Sequence, residues 1–320
     1  MNTVLILVIL SFVLFLLLLF FNWYYKKYIF YYSQEAHIQR GLLNKYDMVA
    51  YGSSYARYAF AFKAAGVNGY NMGFAAQFFY YTEKMIKQYQ EIYNKGCQIV
   101  IVVPDLVFAE TGKGIYGSER YIHILNKDVL EDEYSLTHYI REVLFPVFSH
   151  PRLVFTVVKN IAKKLLHIPT INPYVLEKNQ LDENQTLEAA HKRCNSWCKQ
   201  FGLKDTYTDD VDSSLEMKFV ESRKILTRMI QWCVDNQYRP VLVVTPVSAQ
   251  LNSITSEQFI KKVLYDNIRL ANIQNIPVLD YLRDERFQNY KLYLNSADLL
   301  NLAGRRAFTK VLVEDLKKLK

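Results

Sequence analysis

The feature that most restricts the fold of this chain is its uncharged N-terminus. No Asp, Glu, Lys or Arg occurs between Asn2 and Tyr25, and Val4–Phe21 is almost entirely aliphatic or aromatic. A helix of this length crosses the roughly 30 Å of hydrocarbon in a bilayer. The apolar part exceeds the roughly 7–15 residues of a cleaved signal peptide, and no basic segment precedes it. We therefore predict a transmembrane anchor at residues 1–27.

The segment after the anchor is a juxtamembrane connector at residues 28–45, and alternating strand-like and helix-like segments follow it. Strands that alternate with helices of about 10–20 residues favour a parallel sheet with helices on both faces. We therefore expect a flavodoxin-like, three-layer α/β/α domain at residues 46–320. Short apolar runs predict strands at 47–51, 67–71, 98–103, 240–245 and 276–279, and amphipathic patterns predict helices at about 79–93, 215–236, 257–272 and 303–319. Two helix starts have the spacing of a capping box, namely Ser213 with Glu216 and Thr255 with Gln258.

The regular alternation stops after Asp105, so we predict a helical insertion at about 106–212. Pro146, Pro151, Pro169 and Pro173 interrupt this stretch.

Residues 144–166 of the insertion combine apolar side chains with Lys159, Lys163 and Lys164. Such a segment is either an amphipathic piece on a membrane surface or a helix that covers the sheet, and we favour the second interpretation.

The charge and the cysteines limit the classes of partner. The net charge of +8 suits an anionic partner such as lipid headgroups, an acidic envelope polymer or nucleic acid. No basic cluster has the spacing of a nucleic-acid motif, so we expect no nucleic acid. Cys194 and Cys198 share a helix face with His191, but no second ligand pair accompanies them. We therefore expect free thiols, no metal and no cofactor.

Polar residues follow each predicted strand. Because the carboxyl ends of parallel strands share one edge, which is where such sheets bind ligands, these residues should lie together. Ser54 on this edge is either a nucleophile or a cap of the next helix. The residues are Gly52-Ser53-Ser54, Asn71-Met72-Gly73, Pro104-Asp105, Thr245-Pro246-Val247-Ser248 and Asp280.

These blocks resemble those of the SGNH (GDSL-like) hydrolase superfamily over about residues 47–309, with the insertion excepted. The resemblance is strongest to its membrane-anchored bacterial branch, which includes the D-alanine transfer protein of lipoteichoic acid modification and exopolysaccharide acyltransferase-like proteins. Gly52-Ser53-Ser54 is similar to the nucleophile block and residues 71–77 to the glycine block. Thr245-Pro246-Val247-Ser248 and the C-terminal residues 296–304, followed by Phe308-Thr309, complete the similarity.

The resemblance implies that Ser54 attacks a carbonyl while the N–H groups of Ser54 and Gly73 stabilise the oxyanion. Gly52, Ser53, Asn71 and Asp105 would line the oxyanion and substrate site. It further implies a single-pass membrane protein whose soluble domain modifies an envelope glycan or teichoic-acid-like polymer, beside a membrane-bound acyltransferase.

The last block departs from the family pattern D-x-x-H-L-N-x-x-G. With Asn301 and Gly304 in register, the histidine position holds Leu299 and the aspartate position holds Ser296. Asp298 falls between the two positions, so it and Asn301 are only possible members of the rim. Leucine accepts no proton, and an unassisted serine is a poor nucleophile. Asp105 also stands where many members carry an oxyanion-binding asparagine. Because a carboxylate would repel a developing oxyanion, we expect Asp105 to be either a ligand-binding or a structural residue.

Two functions therefore remain open. The chain is either an enzyme that transfers or hydrolyses an acetyl or alanyl ester through Ser54, or a catalytically inactive protein that keeps the fold. In the second case it would be a binding or scaffold protein that partners an acyltransferase or a polymer-export complex. A base could come from His123 or His138 in the insertion, although a packed or surface histidine is the simpler interpretation.

The membrane orientation rests on two arguments that disagree. Lys26 and Lys27 follow the anchor and would hold the domain in the cytoplasm. The family resemblance implies an extracytoplasmic domain, and we expect that placement.

Overall fold

The computed structural model describes residues 3–112, 118–149, 152–168 and 180–319. The chain forms two compact units. Unit 1 comprises Met1–Arg40 and Tyr116–Asn172, and unit 2 comprises Gly41–Ile115 and Pro173–Lys320. Three prolines of the predicted insertion, Pro151, Pro169 and Pro173, lie outside the described residues.

The helices and strands alternate along unit 2 as the sequence pattern predicts. The strands are β1 (Tyr46–Tyr51), β2 (Gly69–Asn71), β3 (Tyr93–Val102), β4 (Arg239–Val244) and β5 (Val278–Asp280). Counted along the described residues of both units, the α-helices are α1 (Thr3–Tyr24), α2 (Gln34–Gly41), α3 (Ser54–Arg57), α4 (Phe79–Gln88), α5 (Lys127–Leu130), α6 (Leu136–Tyr139), α7 (Pro146–Ser149), α8 (Leu153–Leu165), α9 (Glu183–Phe201), α10 (Ser213–Asp235), α11 (Ala249–Asn252), α12 (Glu257–Ile260), α13 (Asp266–Ala271) and α14 (Leu302–Lys318).

Unit 1 contains the apolar N-terminal helix. Within the described part of the chain, Thr3–Ile29 is the one helical stretch that is long and apolar enough to span a membrane, and none of it is buried. Its last turn, Tyr25–Ile29, is π-helical. The insertion predicted as one piece is divided, since α5 to α8 belong to unit 1 and α9 belongs to unit 2.

The sheet of unit 2 is parallel throughout, with strand order β2-β1-β3-β4-β5. Ala50 of β1 pairs with Asn71 on one side and Val100 on the other. Val49 and Ala50 are completely buried, as are Val241–Val244 of β4. Strands buried on both faces explain why the sequence shows continuous apolar runs instead of alternation. The predicted flavodoxin-like α/β/α fold is confirmed.

The direction of each crossover decides which face its helix covers. Right-handed connections that run one way along the sheet place their helices on one face, and the reverse direction uses the other. The chain moves from β1 outward to β2 and then back across to β3, β4 and β5. Accordingly α10 packs against both α4 and α13, while α14 packs against the turn Phe62–Ala65 that precedes β2. The connection that leaves β1 and the connection that enters β3 therefore lie on opposite faces, and the carboxyl ends of these two strands mark the position where sheets of this kind bind ligands.

Some predicted boundaries differ from the structure. The helix predicted to reach residue 93 ends at Gln88, and β3 begins at Tyr93 instead of residue 98. Gly96 has a φ of 68° and the pairing register shifts between Tyr46 and Met48, so β3 is irregular before its buried half. This irregular half contains Asn94, Lys95 and Gly96, which is why its sequence lacks an apolar run.

Both predicted capping boxes were wrong by one residue. Asp212, not Ser213, accepts the N–H of Leu215 at 2.9 Å. Ser256, not Thr255, accepts the N–H of Phe259 at 2.9 Å. In each case two adjacent side chains could cap, and the cap comes from the residue directly before the first helical residue, whose own backbone is extended.

Candidate functional site

Two adjacent serines divide the roles that the sequence left open for Ser54. Ser53 is the N-cap of α3, and its Oγ accepts the N–H of Tyr55 at 3.4 Å. Ser54 is the first helical residue and is partly exposed. Its hydroxyl forms no hydrogen bond with any residue that the structure describes. Helix capping therefore does not account for Ser54, and its role as a nucleophile stays a prediction.

The turn that presents Ser54 requires glycine. Gly52 has a φ of 141°, in the region that side chains rarely adopt. A Cβ at this position would lie 3.0 Å from Cβ of Val102 on the neighbouring strand. The carbonyl of Gly52 accepts the N–H of Phe74 at 2.9 Å, which holds the segment after β2 against the turn.

Asn71 fixes α3 and the glycine block to each other. Its Nδ2 donates to the carbonyls of Ala56 at 2.8 Å and Arg57 at 3.2 Å, at the end of α3. Its Oδ1 accepts the N–H of Gly73 at 2.9 Å. An oxyanion would have to displace Asn71 Oδ1 to reach that N–H, so the proposed donor role of Gly73 remains a prediction. A Cβ at Gly73 would lie 2.4 Å from the backbone nitrogen of Arg57. Close packing against α3 therefore requires glycine at this position, whether or not its N–H binds an oxyanion.

The most highly charged part of the edge is a buried cluster formed by Tyr55, Asp105, Arg193 and Asp298. Arg193 comes from α9, and its Nε lies 2.7 Å from Asp298 Oδ2. Tyr55 donates its hydroxyl proton to the same oxygen at 3.1 Å. The side chain of Asp298 is 4% exposed and that of Arg193 is 33% exposed. Asp298 was expected as a possible rim residue, and the structure places it beneath the rim.

Asp105 follows β3 and is also buried. Its Oδ1 accepts the N–H of Leu106 at 3.2 Å. Burial raises the pKa of Asp105 to about 7; the nearby Arg193 opposes this shift and Asp298 adds to it. Near neutral pH the cluster therefore holds the charged Arg193 and an Asp105 carboxyl that is partly protonated.

Arg193 keeps its charge in this environment. Burial lowers its pKa, but Tyr55, Asp298 and Asp105 outweigh burial and the pKa is raised overall. Burial also raises the pKa of Tyr55, with Asp105 and Asp298 contributing, so the phenol stays protonated and remains a donor. The guanidinium lies over the rings of Tyr55 and Trp197, with its central carbon 5.9 Å and 5.4 Å from the ring centres.

The C-terminal block has a structural task in this protein. Asn301 is fully buried; its Nδ2 donates to the carbonyls of Lys291 at 2.7 Å and Tyr293 at 2.8 Å. Its Oδ1 caps α14 by accepting the N–H of Gly304 at 3.0 Å. Asn301 was expected as a possible rim residue, but these three bonds use both protons of Nδ2 and engage Oδ1 within the protein.

Leu299 and Ser296 hold the positions of the family's histidine and aspartate. Ser296 Oγ accepts the N–H of Leu299 at 3.3 Å, and the carbonyl of Leu299 accepts the N–H of Leu294 at 2.7 Å. The contacts made by both residues thus close the turn that precedes α14. Leu299 offers no group that could take a proton.

The other blocks of the edge are also capped or packed. Ser248 is the N-cap of α11 and accepts the N–H of Leu251 at 3.4 Å. Asp280 Oδ1 accepts the N–H of Leu282 at 3.0 Å. Thr245 is buried, and its Oγ1 has no hydrogen-bond partner among the described residues.

Among the described residues, the structure identifies no histidine as the general base for Ser54. Within the described residues of unit 2, His191 is the one histidine, and it is exposed on α9. His123 and His138 lie in unit 1, where the His123 ring centre is 5.0 Å from that of Phe30. His150 is outside the described residues. A relocated base from the insertion stays a prediction.

No metal-binding group appears in the described ranges. No three or more His, Cys, Asp or Glu side chains there are arranged to hold an ion. Cys194 and Cys198 are free; burial raises the pKa of Cys194 to about 11, so it is a protonated thiol.

Sequence reasoning missed the two residues that complete the cluster. Tyr55 directly follows Ser54 and could have been found from the nucleophile block itself. Arg193 lies in the insertion, and no spacing in the sequence connects it with Asp298.

Comparisons with known proteins leave the family open. No protein-family model matches the chain, and no curated protein is similar to it. Among solved structures, the chain is similar to one from Desulfitobacterium hafniense DCB-2, described as a candidate lipolytic protein of the G-D-S-L family. The identity is 10%, the TM-score is 0.38, and the match covers 85% of this chain and 98% of that one. At this TM-score the likeness carries no argument about activity.

Proposed function

We propose that this chain is a membrane-anchored, SGNH-like protein without catalytic activity, which binds an envelope glycan or teichoic-acid-like polymer beside a membrane-bound acyltransferase. The proposal rests on one observation: the carboxylate nearest to the lost catalytic block, Asp298, is engaged by Arg193 and Tyr55. It is not available to orient a histidine, and Leu299 stands where that histidine would be.

The retained parts of the edge suit a binding role. The Gly52 turn and the hydrogen bonds of Asn71 hold α3 and the segment after β2 together, and neither contribution requires a catalytic base. Arg193 is one-third exposed and carries a full positive charge at this edge. A polymer that bears phosphate or carboxylate groups would meet this guanidinium directly.

Acyl transfer through Ser54 is the second candidate, and a specific observation favours it. Ser54 is partly exposed, and its hydroxyl forms no hydrogen bond with a described residue. Asp105 follows the adjacent strand and has a pKa of about 7. A group with such a pKa suits a general base at neutral pH. This candidate requires Asp105 to accept the Ser54 proton while Ser54 Oγ attacks the acyl carbonyl.

A fluorophosphonate probe separates the two functions. The full chain, purified in detergent, is treated with the probe beside the Ser54→Ala variant and an exposed control, Ser196→Ala. A non-catalytic protein gives the same background labelling in all three. Labelling that Ser54→Ala abolishes and Ser196→Ala retains would overturn the proposal and establish the acyl-enzyme function, and loss of that labelling in Asp105→Asn would identify the base.

Binding is measured separately on the same proteins with purified lipoteichoic acid as the probe. Retention of the polymer by both wild type and Ser54→Ala, with weakening in Arg193→Met, is the expected result. No retention by the wild type would contradict the binding role.

The extracytoplasmic placement is part of the proposal, and Lys26 and Lys27 argue against it. Reporter fusions to the C-terminus decide the question: a periplasmic or extracellular reporter should be active, and activity of a cytoplasmic reporter alone would reverse the placement.

A further inference from the structure

Helix α8 presents an apolar face to the outside of the protein. Positions three or four apart share one side of a helix, and Phe155, Val158, Ala162 and Leu165 form such a row. Phe155 is 78% exposed, Val158 58% and Leu165 73%. Val157, on the other side of the helix, is 1% exposed and packs inward. Helix α8 therefore packs inward through Val157 and exposes apolar side chains on another face. An exposed apolar face of this kind is typical of an interaction surface.

Basic residues border this apolar face. Lys159 lies beside Phe155 on one flank of the row, and Lys163 follows Lys159 by one turn on that same flank. No Asp or Glu occurs anywhere from Leu144 to Ile168, while Arg152, Lys159, Lys163 and Lys164 do. An apolar face with a purely basic margin is complementary to an anionic lipid surface.

Unit 1 also holds α8 close to the predicted anchor. Both α7 and α8 contact α1. At the C-terminal end of α1, Asn22 Nδ2 donates to the carbonyl of Leu144 at 2.8 Å. One turn further, Lys27 Nζ lies 5.1 Å from the ring centre of Trp23, as in an aromatic and basic margin of a membrane helix.

We propose that α8 lies on the surface of the membrane that α1 crosses, with its apolar face in the acyl boundary and Lys159 and Lys163 among anionic headgroups. Helix α8 would then be a second membrane contact besides α1. This proposal does not depend on whether Ser54 is catalytic. This second contact would restrict the rotation of unit 1 about the long axis of α1, which one spanning helix alone does not prevent.

Site-specific fluorescence tests this contact in the full chain. NBD is attached at Phe155→Cys or at Met217→Cys, both in a Cys198→Ser background, and the proteins are reconstituted into vesicles of phosphatidylcholine and phosphatidylglycerol. Met217 is the control because it is an exposed apolar residue of unit 2, 68% exposed. Circular dichroism verifies that each labelled protein keeps its helix content.

The expected result is a blue-shifted emission at position 155 and about twofold stronger quenching by shallow doxyl lipids than at position 217. Equal emission and quenching at both positions would overturn the proposal. A blue shift at position 155 without doxyl quenching would also overturn it, since the face would then be covered by a second copy or another protein.

A charge reversal tests the basic margin. Lys159→Glu with Lys163→Glu should reduce quenching at position 155 in anionic vesicles, whereas Lys310→Glu with Lys317→Glu, an exposed pair with the same change in net charge, should not. If both pairs behave alike, the proposed headgroup contact is wrong.

Discussion

Arg193 Nε lies 2.7 Å from Asp298 Oδ2, and this contact joins the insertion helix α9 to the turn before α14. The two residues are far apart in the sequence, yet they form the centre of the buried cluster at the carboxyl edge. Asp298 receives two partners, whereas Asp105 is left with a raised pKa. The cluster therefore makes several predictions that depend on which charge is removed.

Removing the cation should cost more stability than removing Asp298. Arg193→Met leaves two buried carboxyls without a counter-charge and should lower the stability of unit 2 by about 2–4 kcal/mol, a range reduced for the partial exposure of the arginine. Asp298→Asn should cost less, because Arg193 can then pair with Asp105. Thermal unfolding at pH 8 measures both, with the exposed Arg306→Met as the control. A loss for Asp298→Asn that exceeds that for Arg193→Met would contradict this account.

Asp105 should make the protein less stable as pH rises. Its folded pKa of about 7 lies above the unfolded value, so the folded state holds the proton more tightly between about pH 4 and pH 7. The stabilisation is complete below pH 4 and is lost as pH rises to about 7. Asp105→Asn removes this loss, and its stability relative to wild type should grow through that window and then level off, by roughly 1–4 kcal/mol.

The measurement for Asp105 is the unfolding midpoint of both proteins at several pH values from 4 to 8. Asp210→Asn, on the exposed surface, controls for the change in net charge. A constant difference between Asp105→Asn and wild type across the window would show that Asp105 has an ordinary pKa.

Asn301 should be among the polar residues most sensitive to substitution. Asn301→Ala removes a helix cap and leaves two buried carbonyls without their donor, at a cost of about 2–5 kcal/mol. Asn289, which caps a short exposed turn through the N–H of Lys291, provides a matched control whose Ala variant should lose less than about 1 kcal/mol. Denaturant unfolding compares the two, and similar losses would argue against the three-bond role.

Gly73 should not tolerate a methyl group. The added Cβ would lie 2.4 Å from the Arg57 nitrogen, so Gly73→Ala must push α3 away from the glycine block, at roughly 2–4 kcal/mol. Gly66→Ala is the control, because the space around it is open and only its φ of 67° opposes the change, which costs about 1 kcal/mol. If Gly73→Ala unfolds no earlier than Gly66→Ala, the close packing does not restrict this position.

Periodicity and apolar runs determined the architecture from the sequence alone. The runs that became β1 and β4 are buried on both faces, and their alternation with helical patterns predicted a parallel sheet. The uncharged N-terminus likewise indicated one helix long enough to span a membrane. These properties are local, because each depends on residues that are close together in the chain.

The tertiary structure alone decided what the polar residues do. The backbone angles of the turn make Ser53 the cap of α3, so the Ser54 hydroxyl is not used for helix capping. Arg193 reaches Asp298 only because α9 folds against the carboxyl edge, and no local pattern encodes a contact across such a separation. The pKa of Asp105 depends on the same packing, since burial and two distant charges set the free energy of its ionised form.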